Sequence, residues 1–225
     1  MKQTIMLFAI TLLFQGCFEP KQEIMMPKNE IKNCSNSAFI EQTEICIPNL
    51  KGFTNIYEND VADTRFSHII SLLSSQKNEI LAFYVENQGD DYSALYVNKT
   101  VKRDISNSEY KIMAETMGNY LKHIDFMEDV TEKIDNLLDD VAFPDIPVVI
   151  KQYSLNENVV TYFILEKTNN PDNEDIITLT SLNLIHIKSK MVLFNYVVNY
   201  IDHNTINTLS QKNDYVISRL LNENE

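Results

Sequence analysis

"LNLIHIKSKMVLFNYVV", residues 182–198, is two runs of branched and aromatic side chains parted by Lys188, Ser189 and Lys190. Two such runs around a short polar break predict a β-hairpin. Two further stretches carry the same pattern, "VVIKQYSL" (148–155) and "VVTYFILEK" (159–167), and the two arms of the hairpin extend over "DIITLTSLNLIHIK" (175–188) and "MVLFNYVVNYI" (191–201). Their connections, 156–158, 169–174 and 188–190, are polar and too short for a crossover helix, so the four strands should form an antiparallel meander. Immediately downstream, "NTINTLSQKNDYVISRLL" (204–221) sets Ile206, Leu209, Val216, Ile217 and Leu220 at helical spacing. That apolar stripe suits a helix packed on the sheet.

Upstream of the meander the periods change repeatedly. "EICIPNLKGFTNIYEN" (44–59) alternates and turns at Pro48 and Gly52, which predicts a short strand pair. "DTRFSHIISLLSSQK" (63–77) places Phe66, Ile69, Ile70 and Leu73 on one helical face, with Asp63 as a candidate cap. "EILAFYVENQGDDYSALYVNK" (79–99) reads as a hairpin around Gln88, Gly89 and Asp90. Ser106 and Glu109 have capping-box spacing and precede Tyr110, Met113, Met117, Tyr120 and Ile124 at helical intervals. A second helix is expected through Val130, Ile134, Leu138 and Val141, ended by Pro144 and Pro147. Helices that interrupt and close a mostly antiparallel sheet predict an α+β fold, an α/β/α sandwich, in one domain over 34–225. In this order, with the 182–198 hairpin running into a terminal helix, residues 44–222 resemble the PsbP/DcrB-like fold, which includes envelope lipoproteins. That resemblance implies a binding or assembly role more than catalysis.

The amino terminus has a different character. Lys2 precedes a ten-residue run, Ile5 to Phe14, interrupted only by Thr11. This is the length of a signal-peptide core, well short of the roughly 20 residues that span a bilayer. The following "LLFQGCFEP" (12–20), with Gly16 before Cys17, resembles the lipobox of bacterial lipoproteins. The resemblance implies that residues 1–16 are a signal peptide and that Cys17 becomes the acylated first residue of the mature chain. Phe18 rather than Asp after the cysteine implies transport to the periplasmic face of the outer membrane in a Gram-negative cell. Several acyl chains are needed, because each buried CH₂ contributes only about 0.8 kcal/mol and one myristoyl chain binds marginally. "FEPKQEIMMPKNEIKN" (18–33) holds two prolines, three Lys and three Glu and no regular period, so residues 17–33 read as a lipidated end and flexible tether.

Export also colours the remaining cysteines. Cys34 and Cys46, twelve positions apart, are an even pair for which a disulfide is the economical reading in an oxidising compartment. Closing such a loop would contribute about 3 kcal/mol in the chain-entropy model. A redox or metal pair is the competing reading, although C-x-x-C spacing and a neighbouring His are absent from this stretch.

Charge and motifs narrow the function further. The formal charge is -13 and the pI about 4.7, a surface that repels phosphate backbones and argues against nucleic acid as a partner. The same field favours encounter with a basic protein or peptide, or serves solubility alone. With four glycines in the whole sequence there is no glycine-rich phosphate loop, and no G-x-S-x-G elbow occurs. His68, His123, His186 and His203 form no ligand-spaced pair. His123 with Asp125, and Asp202 with His203, are the acid/base candidates, weighed against surface or capping roles. Asp139 and Asp140 suit a solvated helix end, and "NNPDNED" (169–175) has oxygen ligands without the glycine and spacing of a calcium loop. The stripe of Met113, Met117 and Tyr120 suits core packing better than a ligand groove. No catalytic residue, metal or cofactor is assigned. The expectation is a membrane-anchored, non-enzymatic binding module; the alternatives are an immunity-type lipoprotein that neutralises a basic toxin, and an envelope hydrolase.

Overall fold

The computed structural model describes residues 34, 36–57, 66–74, 77–87, 89–122, 147–168 and 176–225. Within them the fold is α+β, with a mostly antiparallel seven-stranded sheet and three α-helices. The strands are β1 (Ser37–Ile40), β2 (Thr43–Cys46), β3 (Phe53–Asn55), β4 (Asn78–Glu86), β5 (Tyr92–Asn98), β6 (Val148–Asn156), β7 (Val159–Thr168), β8 (Ile176–Ile187) and β9 (Lys190–Asn199). The helices are α1 (Ser67–Leu73), α2 (Asn107–Lys122) and α3 (His203–Asn224). The expected cap at Asp63, the loop residue Gln88 and the helix through Val130 to Val141 lie outside the described residues.

The four-strand meander is present, each strand antiparallel to the next, with β9 continuing into α3. Its far side is less obvious. β9 also pairs with β5, Tyr92 opposite Val197 through Tyr96 opposite Leu193, so the sheet order is β3-β4-β5-β9-β8-β7-β6. Stretch 44–59 departs from expectation, because its two strands do not pair with each other. β2 turns back through Glu41 and Gln42 onto β1 in a separate two-stranded sheet, whereas β3 joins the edge of β4. Pro48 supplies no N–H to prolong a ladder. Cys46 is also drawn elsewhere, its N–H donating to Asn224 Oδ1 at 2.8 Å while Asn224 Nδ2 donates to its carbonyl at 2.9 Å.

Strand alternation sends neighbouring side chains to two apolar clusters. Along β9, Met191 and Leu193 join a cluster with Phe66 and Leu73 near α1 and Tyr110, Met113 and Met117 of α2. Val192, Phe194 and Tyr196 join the other, with Ile206, Leu209, Val216, Ile217 and Leu220 of α3. Leu81 and Ala82, though adjacent, share one cluster because the β4–β5 register shifts there. The helix termini follow the sequence. Ser106 N–H donates to Glu109 at 2.8 Å and Glu109 N–H donates back to Ser106 Oγ at 3.3 Å, holding that carboxyl below the usual carboxylate range. Asp202 caps α3 by accepting from Asn204 and Thr205, with Thr205 accepting in return.

One buried polar inclusion interrupts the apolar packing beneath α3. Asn213 Oδ1 accepts from Ser181 Oγ at 2.7 Å and from Asn183 Nδ2 at 2.8 Å. Asn183 Oδ1 accepts from Thr161 Oγ1 at 2.7 Å and from Asn213 Nδ2 at 3.2 Å. The β8–β9 turn is also specific, with Lys188 and Ser189 both left-handed at φ 48 and 63. Two consecutive positive φ values fit a type I′ hairpin, whose twist matches the strands but which favours Asn and Gly over these residues. Ser189→Gly, which keeps the carbonyl that accepts from Ile105 N at 2.7 Å, should stabilise the fold by about 1 kcal/mol. A shift of the urea midpoint to higher concentration at unchanged slope is the readout. Asn213→Ala should do the reverse, by about 3 kcal/mol, because Ser181 and Asn183 lose their partner in a dry site.

Candidate functional site

A groove of about 310 Å³ lies between α2 and the β6–β7 pair. Its floor comes from residues that let helix and sheet approach closely. Ala114 and Gly118 lie one turn apart on α2, and a Cβ on Gly118 would stand 3.0 Å from the Tyr162 hydroxyl. A glycine inside a helix costs about 1 kcal/mol relative to alanine. Here it leaves room for the tyrosine. Tyr162, almost fully buried, donates to Ala114 O at 3.2 Å, and burial pushes its phenol up to about 12, so it stays a donor.

The rim is polar and uncommitted. Glu115 and Asn119 from α2 and Gln152 from β6 line the opening, with Val160 between them and the floor. All three polar side chains are exposed, and none makes a hydrogen bond or ion pair among the described residues. The rim therefore offers one carboxylate and two carboxamides to a ligand. Elsewhere the strongest charges are already matched. Lys190, only 2% exposed, donates to Glu41 Oε2 at 2.9 Å, Asp104 Oδ1 at 2.8 Å and Lys102 O at 2.7 Å. Lys212 bridges both oxygens of Glu86 at 3.0 Å and Asp91 at 3.4 Å. Burial raises the Asp91 carboxyl although Lys212 opposes it.

The sequence-derived candidates fall out as follows. Cys34 and Cys46 lie at disulfide distance, with Cα atoms 5.2 Å apart, at the start of the described domain. Cys17, the pair His123 and Asp125, the carboxylates Asp139 and Asp140, and residues 169–175 lie outside the described residues. Asp202 is spent on capping α3 and His203 is exposed as the first residue of that helix. His186 is buried, donating from Nε2 to Ile105 O at 2.8 Å and stacking on Tyr110 at 5.2 Å. His68 is exposed on α1. Met113 and Met117 are core residues and Tyr120 packs against the same cluster. Among the described residues no group of three or more His, Cys, Asp or Glu is placed to hold a metal ion. The groove itself was not singled out from the sequence; the pair Ala114 and Gly118 at i and i+4, flanked by Glu115 and Asn119, was its signal.

Fold and groove together define an α+β domain with a polar-rimmed recess between a helix and a sheet. No family model and no curated protein matches the chain. Among solved structures the chain is similar to the Saccharomyces cerevisiae Ran-binding protein Mog1p, at 11% identity and a TM-score of 0.35, over 80% of this chain and 86% of that one. It is similar also to a mutant of protein Mog1, at 13% identity and a TM-score of 0.35, over 84% and 93% of the two chains. Nothing about partners is carried over at those values.

One carboxylate in the sheet has a testable titration. Glu166 on β7 is raised by burial alone, and its charge adds to the desolvation that raises the partly buried Tyr92 to about 12. A carboxyl raised on folding favours the folded state below its unfolded value, and that contribution is lost as pH rises through the folded value. Glu166→Gln should therefore increase stability at neutral pH, and the gain should shrink as pH falls through the carboxylate range. Urea midpoints of both proteins across that range measure it; a gain that persists in acid would contradict it.

Proposed function

We propose that this chain is a lipid-anchored bacterial envelope protein whose domain binds a partner and carries out no chemistry of its own. The observation that carries the binding reading is the groove, where three polar side chains without hydrogen-bond or ion-pair partners among the described residues line the opening over a buried floor. The domain is one α/β/α sandwich over 34–225, a reading supported by apolar clusters that combine each sheet face with different helices. The anchor is Cys17 carrying acyl chains, supported by Lys2, the apolar run and Gly16. Residues 17–33 form the tether, and the membrane is the periplasmic face of the outer membrane in a Gram-negative cell. A basic protein or peptide is the partner class, supported by the charge of -13. That charge equally suits the second reading, an immunity-type protein that neutralises a basic toxin.

The anchor is tested by Cys17→Ser. The variant should lose metabolic labelling by fatty acid and move from the membrane pellet to the soluble fraction. Labelling that survives the substitution would overturn the assignment of Cys17.

A further inference from the structure

We infer that the groove between α2 and the β6–β7 pair is a receptor for a basic side chain, an arginine or lysine presented by a partner protein or peptide. The inference rests on the binding-module reading and names which part of the surface does the binding and what it takes. Four observations carry it. Glu115, at the rim, is an exposed carboxylate with no ion pair among the described residues. By contrast Glu41, Glu79, Glu86, Asp91, Asp104, Glu109 and Glu223 each face a lysine or arginine. An unmatched carboxylate beside a recess is free to match an incoming cation.

Next, Asn119 and Gln152 bring exposed carboxamides to the same opening; Gln152 has its Nε2 toward Gly118, and with that amide turned over each carboxamide oxygen accepts N–H groups of a guanidinium or ammonium that a single carboxylate leaves unsatisfied. The recess is also narrow-floored. Ala114, Gly118 and Val160 line it with apolar surface along which an aliphatic stem can lie. Finally, the net charge of -13 draws cations to this surface and repels anions. The Tyr162 ring is 1% exposed, so it offers no open face on which a sugar ring could stack. This separates a cation from a neutral saccharide as the occupant.

The test uses the full-length chain in detergent micelles, with a short oligo-arginine peptide as probe, the same peptide with citrulline replacing arginine, and a neutral N-acetylglucosamine oligomer. Backbone amide resonances report the contact. Oligo-arginine should shift residues 114–119, 152 and 160–162, and the citrulline peptide and the saccharide should not. Glu115→Gln should weaken binding about fivefold. Glu225→Gln, which removes an exposed charge just past the end of α3, should leave it nearly unchanged. Gly118→Ala should also weaken binding, because its Cβ enters the recess at 3.0 Å from the Tyr162 hydroxyl. Glu115→Gln is the decisive variant, since its side chain supports nothing else in the fold. Shifts spread over the acidic surface, or equal losses from Glu115→Gln and Glu225→Gln, would show attraction to net charge and overturn the assignment. Binding of the citrulline peptide or the saccharide at comparable strength would overturn it too, as would no binding at all. None of these results bears on Cys17, so failure of the groove and failure of the anchor are read separately.

Discussion

The pairing of β5 with β9 is the constraint on which the described structure depends. Among the described residues it is the one strand ladder that joins the hairpin of β4 and β5 to the meander of β6 to β9. Bringing Tyr96 beside Leu193 closes a long loop, at a cost of about 4 kcal/mol in chain entropy. The contacts that offset it gather at the β8–β9 turn. Lys190 places all three ammonium hydrogens on Glu41, Asp104 and the Lys102 carbonyl, so a buried charge holds the turn of β1 and β2 and the approach to α2 together. Ile105 N donates to Ser189 O and His186 donates to Ile105 O, which fastens the same approach to β8 and β9. The ion pairs matter because the ammonium is dry; a buried charge with fewer partners would destabilise the fold.

With the ladder closed, β8 and β9 lie in the interior of the sheet and bury side chains on both faces. Apolar packing alone tolerates rotation and sliding of a helix over such a surface. The inclusion of Asn183, Asn213, Ser181 and Thr161 does not, because its amides are satisfied in one register of α3. The far end of α3 is fixed by the same device, Asn224 exchanging two hydrogen bonds with the backbone of Cys46. With Cys34 at disulfide distance from Cys46, the start of the described domain lies against its last helix.

The meander and α3 were legible because their signals are local. Each strand is long, each connection short, and the apolar spacing of Ile206, Leu209, Val216, Ile217 and Leu220 matches their burial. What the sequence could not show was non-local choice. Alternation in 44–59 marks two extended pieces but not their partners, which were decided by Pro48 and by Asn224 at the opposite end of the chain. The β5–β9 pairing is of the same kind. The groove was harder still, because Glu115, Asn119 and Gln152 are ordinary exposed polar residues one at a time. They become a site only when β6 lies beside α2. Gly118 was visible throughout, yet a lone helical glycine acquires meaning only with Tyr162 beneath it.

The edges of the seven-stranded sheet, among the described residues, are poor templates for strand addition. An open edge invites another strand unless it is short, bulged or charged. β3 has three residues, and its central Thr54 is engaged through Oγ1 with Asn87 at 2.7 Å. β6 is longer, but its register shifts twice against β7, between Val149 and Lys151 and between Ser154 and Asn156. Lys151 turns inward, its ammonium 4.8 Å from the Tyr153 ring and 3.3 Å from Ser210 Oγ, so a charge sits where an added strand would need flat apolar backing. The same bulge that puts Ile150 and Lys151 toward α3 returns Gln152 to the α2 side, where it completes the rim. One irregularity in β6 thus blunts the edge against an added strand and sets Gln152 at the rim of the groove.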